Sequence, residues 1–549
     1  MLVAEAVGRA LADHGVRTAF GVVGSGNFHA TNALVAAGVR FVAAAHEGGA
    51  ATMADAYART AREPTVLSVH QGPGVTNALT GITEAAKSRT PLLMLAPEAT
   101  AVRSNFFIDL ARCAASVGAG FYRVRAERVY EDVAEAYRAA TQGVGGTVVL
   151  GLPLDVQAAP APEYPAIGTS GSPSLEPPVP PPDQVRELAD LLRRSSRPMF
   201  IAGRGATRSP DRTRAALTEL AGRCGALLAV SAAAKGLFAG DPWYLDVSGG
   251  FASPLAADLI SRSDLVVAWG STLNMWTTRH GRLIGPEATV VQVDLNAAAL
   301  GANRPIDLGV PGDIAVVADA VTAELADWES AGWRSPELAR RIAAEVHWRD
   351  VPYVDDSGGG RIDPRTLSIA LDDLLPADRT IAVDSGNFMG YPSMYLSVPD
   401  QAGFCFTQAF QSIGLGLASS IGAALARPDR LTVAALGDGG FLMSAAELAT
   451  AVRLGLAVLV VVYNDAAYGA EVHHFGPDGH PLETVTFPDT DLAAIGRGFG
   501  AAGVTVRSAA DLATVSDWLA GQRDTPLVVD AKVTSASGAW WLEEAFRGH

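Results

Sequence analysis

Leu431–Gly469 reads LTVAALGDGGFLMSAAELATAVRLGLAVLVVVYNDAAYG. Leu431–Leu436 is an apolar β run. It ends at Gly437-Asp438-Gly439-Gly440, where three glycines let the backbone turn sharply and come close to a ligand. Ser444-Ala-Ala-Glu447 has the form of a capping box, which predicts a helix running to Leu454 with Gly455 as its stop. Leu456–Tyr463 is the next buried strand and ends at Asn464-Asp465. The passage is predicted to be one right-handed βαβ unit. Both acidic loops then leave the carboxyl edge of a sheet, where open α/β sheets bind ligands. Asp438 and Asp465, 27 positions apart, can converge on one point. Two carboxylates that close repel unless a cation lies between them, and oxygen ligands suit Mg²⁺ or Ca²⁺. A lone Gly-Asp-Gly would be an ordinary turn. The spacing to Asn464-Asp465, with Tyr468-Gly469 following, is what makes the passage specific.

Outward from this unit the chain alternates short β-branched runs with amphipathic stretches. The runs include Val66–Val69, Leu92–Leu95, Val148–Leu150, Leu265–Trp269, Val290–Val293 and Ile381–Val383. Near-continuous apolar strands separated by helices indicate parallel sheets covered on both faces. The fold class expected is α/β, with three parallel-sheet domains at 1–160, 185–330 and 363–549. Linkers are expected at 161–184 and 331–362. The first lies in the proline-dense stretch Ala158–Asp183, read as extended polyproline. The second contains the break at Asp355-Asp-Ser-Gly-Gly-Gly360.

The 549 residues carry a net charge of −16, which disfavours nucleic acid and anionic membranes as partners. No basic and apolar leader opens the chain, and its longest apolar runs are too short to span a bilayer. Three scattered cysteines, Cys113, Cys224 and Cys405, fit a reduced, cytoplasmic protein better than a disulfide framework.

Near the N-terminus, Val39–Ala45 is predicted as a strand ending in His46-Glu47, with a helix over Ala50–Arg59. His70-Gln-Gly-Pro-Gly-Val-Thr-Asn77 follows the next strand, and Gly21-Val-Val-Gly24-Ser25 precedes both. Together with the C-terminal unit, these segments resemble the thiamine-diphosphate-dependent enzymes, most closely the acetolactate-synthase-like group, along nearly the whole chain. Benzoylformate decarboxylase and benzaldehyde lyase are similar too.

The resemblance implies a pyrimidine-binding domain, a Rossmann-like middle domain and a diphosphate-binding domain. It implies thiamine diphosphate anchored by Mg²⁺ (or Ca²⁺) through Asp438, Asp465 and the Ala467 carbonyl. Gly437, Gly439, Gly440, Tyr468 and Gly469 belong to the same motif. Asp384-Ser385-Gly-Asn387-Phe388 would cradle the diphosphate. In Phe410-Gln411-Ser-Ile413, the Gln411 carbonyl and Ile413 amide would hold the aminopyrimidine, with Ile413 as the pivot. Glu47 would bond N1′ and so drive removal of the C2 proton, with Asn77 in the neighbouring turn. Ser25, His70, Gln71 and Glu471 are the candidate groups over the reacting carbon. His70 and Glu471 are read as proton carriers, with turn capping and a helix N-terminal carboxylate as their plain structural alternatives.

The function implied is a carbon–carbon lyase or carboligase: decarboxylation of a 2-oxo acid or related carbonyl to an enamine, then protonation or ligation to an acceptor. Alternatives are a flavin-dependent oxidase of the pyruvate-oxidase type and a non-catalytic cofactor-binding paralogue. FAD would sit at Gly203-Arg-Gly205, Gly270–Arg279 and Val293-Asp294, although Val247–Phe251 departs from the flavin-binding pattern. Phe107-Ile108-Asp109, Ile413 and His474 also depart from true acetolactate synthases, which puts pyruvate in doubt. The resemblance further implies a homodimer or homotetramer with active sites at the subunit interface.

Overall fold

The computed structural model describes residues 1–164 and 178–545. The central part of the expected polyproline stretch, 165–177, lies outside them. The strands form three six-stranded, all-parallel sheets. The first holds β1 (Thr18–Gly21), β2 (Arg40–Ala43), β3 (Thr65–Ser68), β4 (Leu92–Glu98), β5 (Gly120–Arg123) and β6 (Thr147–Pro153) in the order β2-β1-β3-β4-β6-β5. The second holds β7 (Pro198–Ala202), β8 (Leu227–Val230), β9 (Tyr244–Val247), β10 (Leu265–Trp269), β11 (Thr289–Asp294) and β12 (Leu308–Pro311) in the order β12-β11-β10-β7-β8-β9. The third holds β13 (Arg379–Val383), β14 (Phe404–Phe406), β15 (Leu431–Gly437), β16 (Val458–Asn464), β17 (Ala502–Val506) and β18 (Leu527–Lys532) in the order β14-β13-β15-β16-β18-β17.

The strands are buried on both faces because their side chains are apolar on both, as in β10 and β16. The order of each sheet creates a switch point, between β1 and β3, between β7 and β10, and between β13 and β15. Neighbouring loops diverge there and leave a crevice. The outer two sheets are joined through the helices Glu47–Ala61 and Gly416–Ala426. A side chain on Gly422 would come within 2.3 Å of the Met53 carbonyl, so glycine sets how closely these helices approach.

Four local readings are corrected. The helix after β15 opens at Asp438, not at a capping box: Ser444 ends it, and its hydroxyl donates to the Gly440 carbonyl (2.9 Å). A second short helix, Glu447–Arg453, follows, because the Glu447 carboxylate is drawn to another domain. β2 stops at Ala43 and the next helix opens at Glu47, since His46 Nδ1 accepts the Gly48 N–H (3.0 Å) and caps it. Pro182 and Asp183 belong to the helix Pro182–Arg194, where proline suits the first turn. The stretch read as the linker 331–362 contains the helix Pro336–Glu345, which puts Ile342 into the core of the second sheet. Among the described residues the three cysteines form no disulfide, and no helix is long and apolar enough to cross a membrane.

Candidate active site

The loops at the β13/β15 switch point open onto a cavity of about 1050 Å³. Ser385, Asn387, Phe388, Gln411, Ile413, Gly437, Asp438, Gly439, Gly440, Asp465, Ala467, Tyr468, Gly469 and Glu471 all line it. The βαβ geometry carries Asp438 and Asp465 to one edge of the sheet, as their spacing predicts. Burial raises the Asp438 carboxyl to about 6. Burial, and then the charge of Asp438, raises Asp465 to about 7. The Ala467 N–H reaches both carboxylates. Two acids that repel each other, Asp438 buried and Asp465 half-buried, with small residues around them, fit a hard divalent cation. A side chain on Gly469 would lie 2.4 Å from Asp465, which explains the glycine there.

The surrounding loops are tightly held. Asp384 is fully buried and accepts the N–H groups of Ser385 (2.8 Å), Gly414 (3.0 Å) and Leu415 (3.2 Å). Burial still lifts its carboxyl to about 6. This residue sets the Gln411–Gly416 turn against the Ser385–Phe388 loop, a role its place in the motif did not disclose. The Asn387 side chain accepts the Ala539 N–H (3.0 Å), and its carbonyl accepts the Trp541 indole N–H (3.0 Å). Gln411 and Ala466 both have positive φ, 60° and 59°, which is uncommon for residues other than glycine. Glu471 lies in the first turn of Gly469–Phe475, so the plain reading of it as a helix N-terminal carboxylate holds alongside its place on the cavity wall.

The N-terminal candidates gather at the β1/β3 switch point, and none of Ser25, Glu47, His70, Gln71 and Asn77 lines the cavity. Glu47 Oε2 accepts from Asn77 Nδ2 (3.1 Å), so Asn77 holds the carboxylate. His70 Nδ1 accepts the Gly26 N–H (3.3 Å) and its ring meets Phe106 edge-on. That bond leaves Nε2 to carry the proton of the neutral ring. Gln71 is buried under Gly26, and its Oε1 has no partner. Ser25 is exposed on a loop braced by Asn27, whose Oδ1 accepts the Gly24 N–H (2.8 Å) and whose Nδ2 donates to Ser68 (3.0 Å). Asn27, fully buried, carried no motif in the sequence. Asp109 caps the helix Leu110–Ser116 by accepting the Arg112 N–H (3.0 Å).

The cavity continues into the second sheet's switch point, along Arg204, Gly205, Gly270, Ser271 and Asp294. Arg279, at the end of the same stretch, instead donates to the Gly249 and Ala252 carbonyls and stacks on Trp540.

Three family profiles match the chain in order: the thiamine pyrophosphate enzyme N-terminal TPP binding domain over residues 1–105, the central domain over 185–321 and the C-terminal TPP binding domain over 384–531. A sulfoacetaldehyde acetyltransferase from Alcaligenes xylosoxydans xylosoxydans is 29% identical over 83% of this chain and 80% of its own. A "Probable 2-ketoarginine decarboxylase" from Pseudomonas aeruginosa is 28% identical over 92% and 89%. The acetolactate synthase isozyme 2 large subunit of Escherichia coli is 26% identical over 85% and 83%. These matches lend the flavin-dependent alternative no support. With all three domains matched in sequence and three parallel sheets in the fold, the chain belongs to the thiamine pyrophosphate enzyme family.

Proposed function

We propose that the protein uses thiamine diphosphate and Mg²⁺ to break or make a carbon–carbon bond next to a carbonyl, with a 2-oxo acid or related small carbonyl compound as donor. The observation that carries this reading is the pairing of buried Asp438 with half-buried Asp465 on a cavity whose loops offer glycines and backbone amides. When bound, the cofactor supplies the nucleophilic carbon and the electron sink for the bond change.

The protein's own groups do the rest. Asp438, Asp465 and the Ala467 carbonyl hold the cation. The Ser385–Phe388 loop and Gly437, Gly439 and Gly440 receive the diphosphate, while Tyr468 and Gly469 wall the site. Gln411 and Ile413 hold the aminopyrimidine. Glu47, kept in place by Asn77, gives and takes a proton at N1′. His70, through Nε2, and Glu471 exchange protons with substrate, and Ser25 and Gln71 orient it.

Because Glu47 does not line the cavity of its own chain, a complete site needs a second copy. Val23, Phe28 and Phe106 are exposed around the Glu47 half, and Phe410, Leu442, Met443 and Phe487 around the Asp438 half. Apolar surface on both halves favours their pairing in a homodimer or homotetramer. Phe107-Ile108-Asp109, Ile413 and His474 depart from acetolactate synthases, and Asp109 caps the helix Leu110–Ser116 while its side chain stays exposed. That argues for a donor or acceptor other than two pyruvates.

The test incubates the purified protein with thiamine diphosphate, Mg²⁺ and a panel that includes pyruvate, 2-ketoarginine and sulfoacetaldehyde. CO₂ and ligated products are followed by mass spectrometry, and assembly by light scattering. Cofactor-dependent turnover by a dimer or tetramer is expected. Failure of the protein to bind Mg²⁺–thiamine diphosphate in calorimetry sinks the reading.

A further inference from the structure

The loops that meet the aminopyrimidine lie on two domains, and each is pinned by the domain it does not belong to. The first and third sheets have the same strand order, so β2 corresponds to β14 and β3 to β15. The loop after β2 leads into Glu47, and the loop after β14 leads into Gln411 and Ile413. In each case the pinning carboxylate comes from a helix that follows the third strand of the other sheet.

Glu447, in the helix Glu447–Arg453, accepts the N–H groups of Ala45 (3.2 Å) and His46 (3.0 Å). Glu84, in the helix Pro73–Lys87, accepts those of Ala409 (3.1 Å) and Phe410 (2.6 Å). Both residues are almost fully buried, at 2% and 1% exposure. Each is braced, Glu447 by Thr450 Oγ1 (2.8 Å) and Glu84 by Arg59 (2.7 Å) and Ser88 (3.1 Å). Arg453 adds a bond to the Ala43 carbonyl, so one helix grips the β2 loop at both ends. Gly49 makes room for this: a side chain there would lie 2.1 Å from Glu447 Oε1.

A buried carboxylate spent on two consecutive backbone amides is a costly way to close a seam that apolar side chains could fill, and a direct way to fix where a loop stands. We propose that Glu447 and Glu84 are reciprocal positioning residues. Glu447 sets the placement of the Glu47 carboxyl, and Glu84 sets the loop through which Gln411 and Ile413 receive the aminopyrimidine. This rests on the function proposed above and divides it into two separable parts, activation and cofactor seating.

The test uses the full-length protein with thiamine diphosphate and Mg²⁺, and compares E447A, E84A and their glutamine counterparts. Two quantities are read: hydrogen–deuterium exchange at the cofactor's C2, by NMR after acid quench, and the cofactor Kd, by calorimetry. E447A is expected to slow exchange and kcat by roughly tenfold or more, with Kd within about threefold of wild type. E84A is expected to raise Kd by roughly tenfold or more, with exchange at saturating cofactor within about threefold. Each glutamine variant recovers only part of the loss, because its amide oxygen accepts one of the two N–H groups while its NH₂ faces the other. If E447A fails to fold, G49A replaces it, since the added methyl displaces the same carboxylate and should give the same slow exchange with normal Kd. Variants that lower only the melting temperature, or that shift both readouts together, overturn the proposal. Wild-type protein that neither binds cofactor nor exchanges the C2 proton overturns the function itself and this division with it.

Discussion

The first and third domains share one strand order and hold opposite chemistry. At the β1/β3 switch point the loops are Gly21–Ser25 and His70–Gly74, which carry no carboxylate. At the β13/β15 switch point they are Asp384–Phe388 and Gly437–Gly440, with Asp465 arriving after β16. The scaffold therefore supplies only a crevice. On the function proposed above, the side chains at three loop tips decide whether that crevice takes a cation and a polyphosphate or a polarisable ring. Glycine marks both, but for different neighbours: Gly26 makes room for Gln71, and Gly469 for Asp465.

Removing the acid at the C-terminal switch point should have the largest effect on cofactor binding. Asp438→Ala takes away one of the proposed cation ligands and leaves half-buried Asp465 without its partner acid. Mg²⁺–thiamine diphosphate binding is expected to weaken by more than about a hundredfold in calorimetry. The contrasting change at the N-terminal half is Glu47→Gln, which should leave that Kd near wild type and lower kcat by about 10²- to 10⁴-fold. If Glu47→Gln instead weakens binding as Asp438→Ala does, the division of labour between the two domains fails. Gly422→Ala tests the seam between them. The methyl meets the Met53 carbonyl, and a loss of about 1–3 kcal/mol in denaturant unfolding is expected. Asp465→Asn should do least. It removes one negative charge but keeps an oxygen ligand, so cofactor Kd is expected to move by about tenfold or less.

Most of the C-terminal half could be read before the fold was seen, because its chemistry is local. Gly437–Gly440 and Asn464-Asp465 are short segments on one βαβ unit, and the unit's handedness alone brings them together. The helix boundary within it was misread, since Ser444 and Glu447 have the spacing of a capping box while their partners lie elsewhere. Glu447 bonds Ala45 and His46, about four hundred positions away, and no local pattern announces such a pairing. The one trace is Gly48-Gly49 inside a helix, where paired glycines cost helix stability and so call for a reason. Asn27 stands outside every motif, and Asp384 stands inside one that does not disclose its role, for the same cause: each satisfies backbone groups of loops that only the tertiary fold assembles. The helix Pro336–Glu345 sat in a stretch judged by its breaks, and its single core residue, Ile342, is too weak a signal to outvote them.

Gln411 and Ala466 stand in the left-handed backbone region that glycine enters freely and other residues enter at a cost of about 1–2 kcal/mol each. Among the described residues six other non-glycine residues share this region, so the strain alone is no signature of the site; at Gln411 and Ala466 it stands in the loops beside the cavity. Glycine at 411 or 466 would ease the strain in the folded state but leave a looser loop to be ordered each time a ligand arrives. A thermostabilising design campaign should therefore leave these two positions alone.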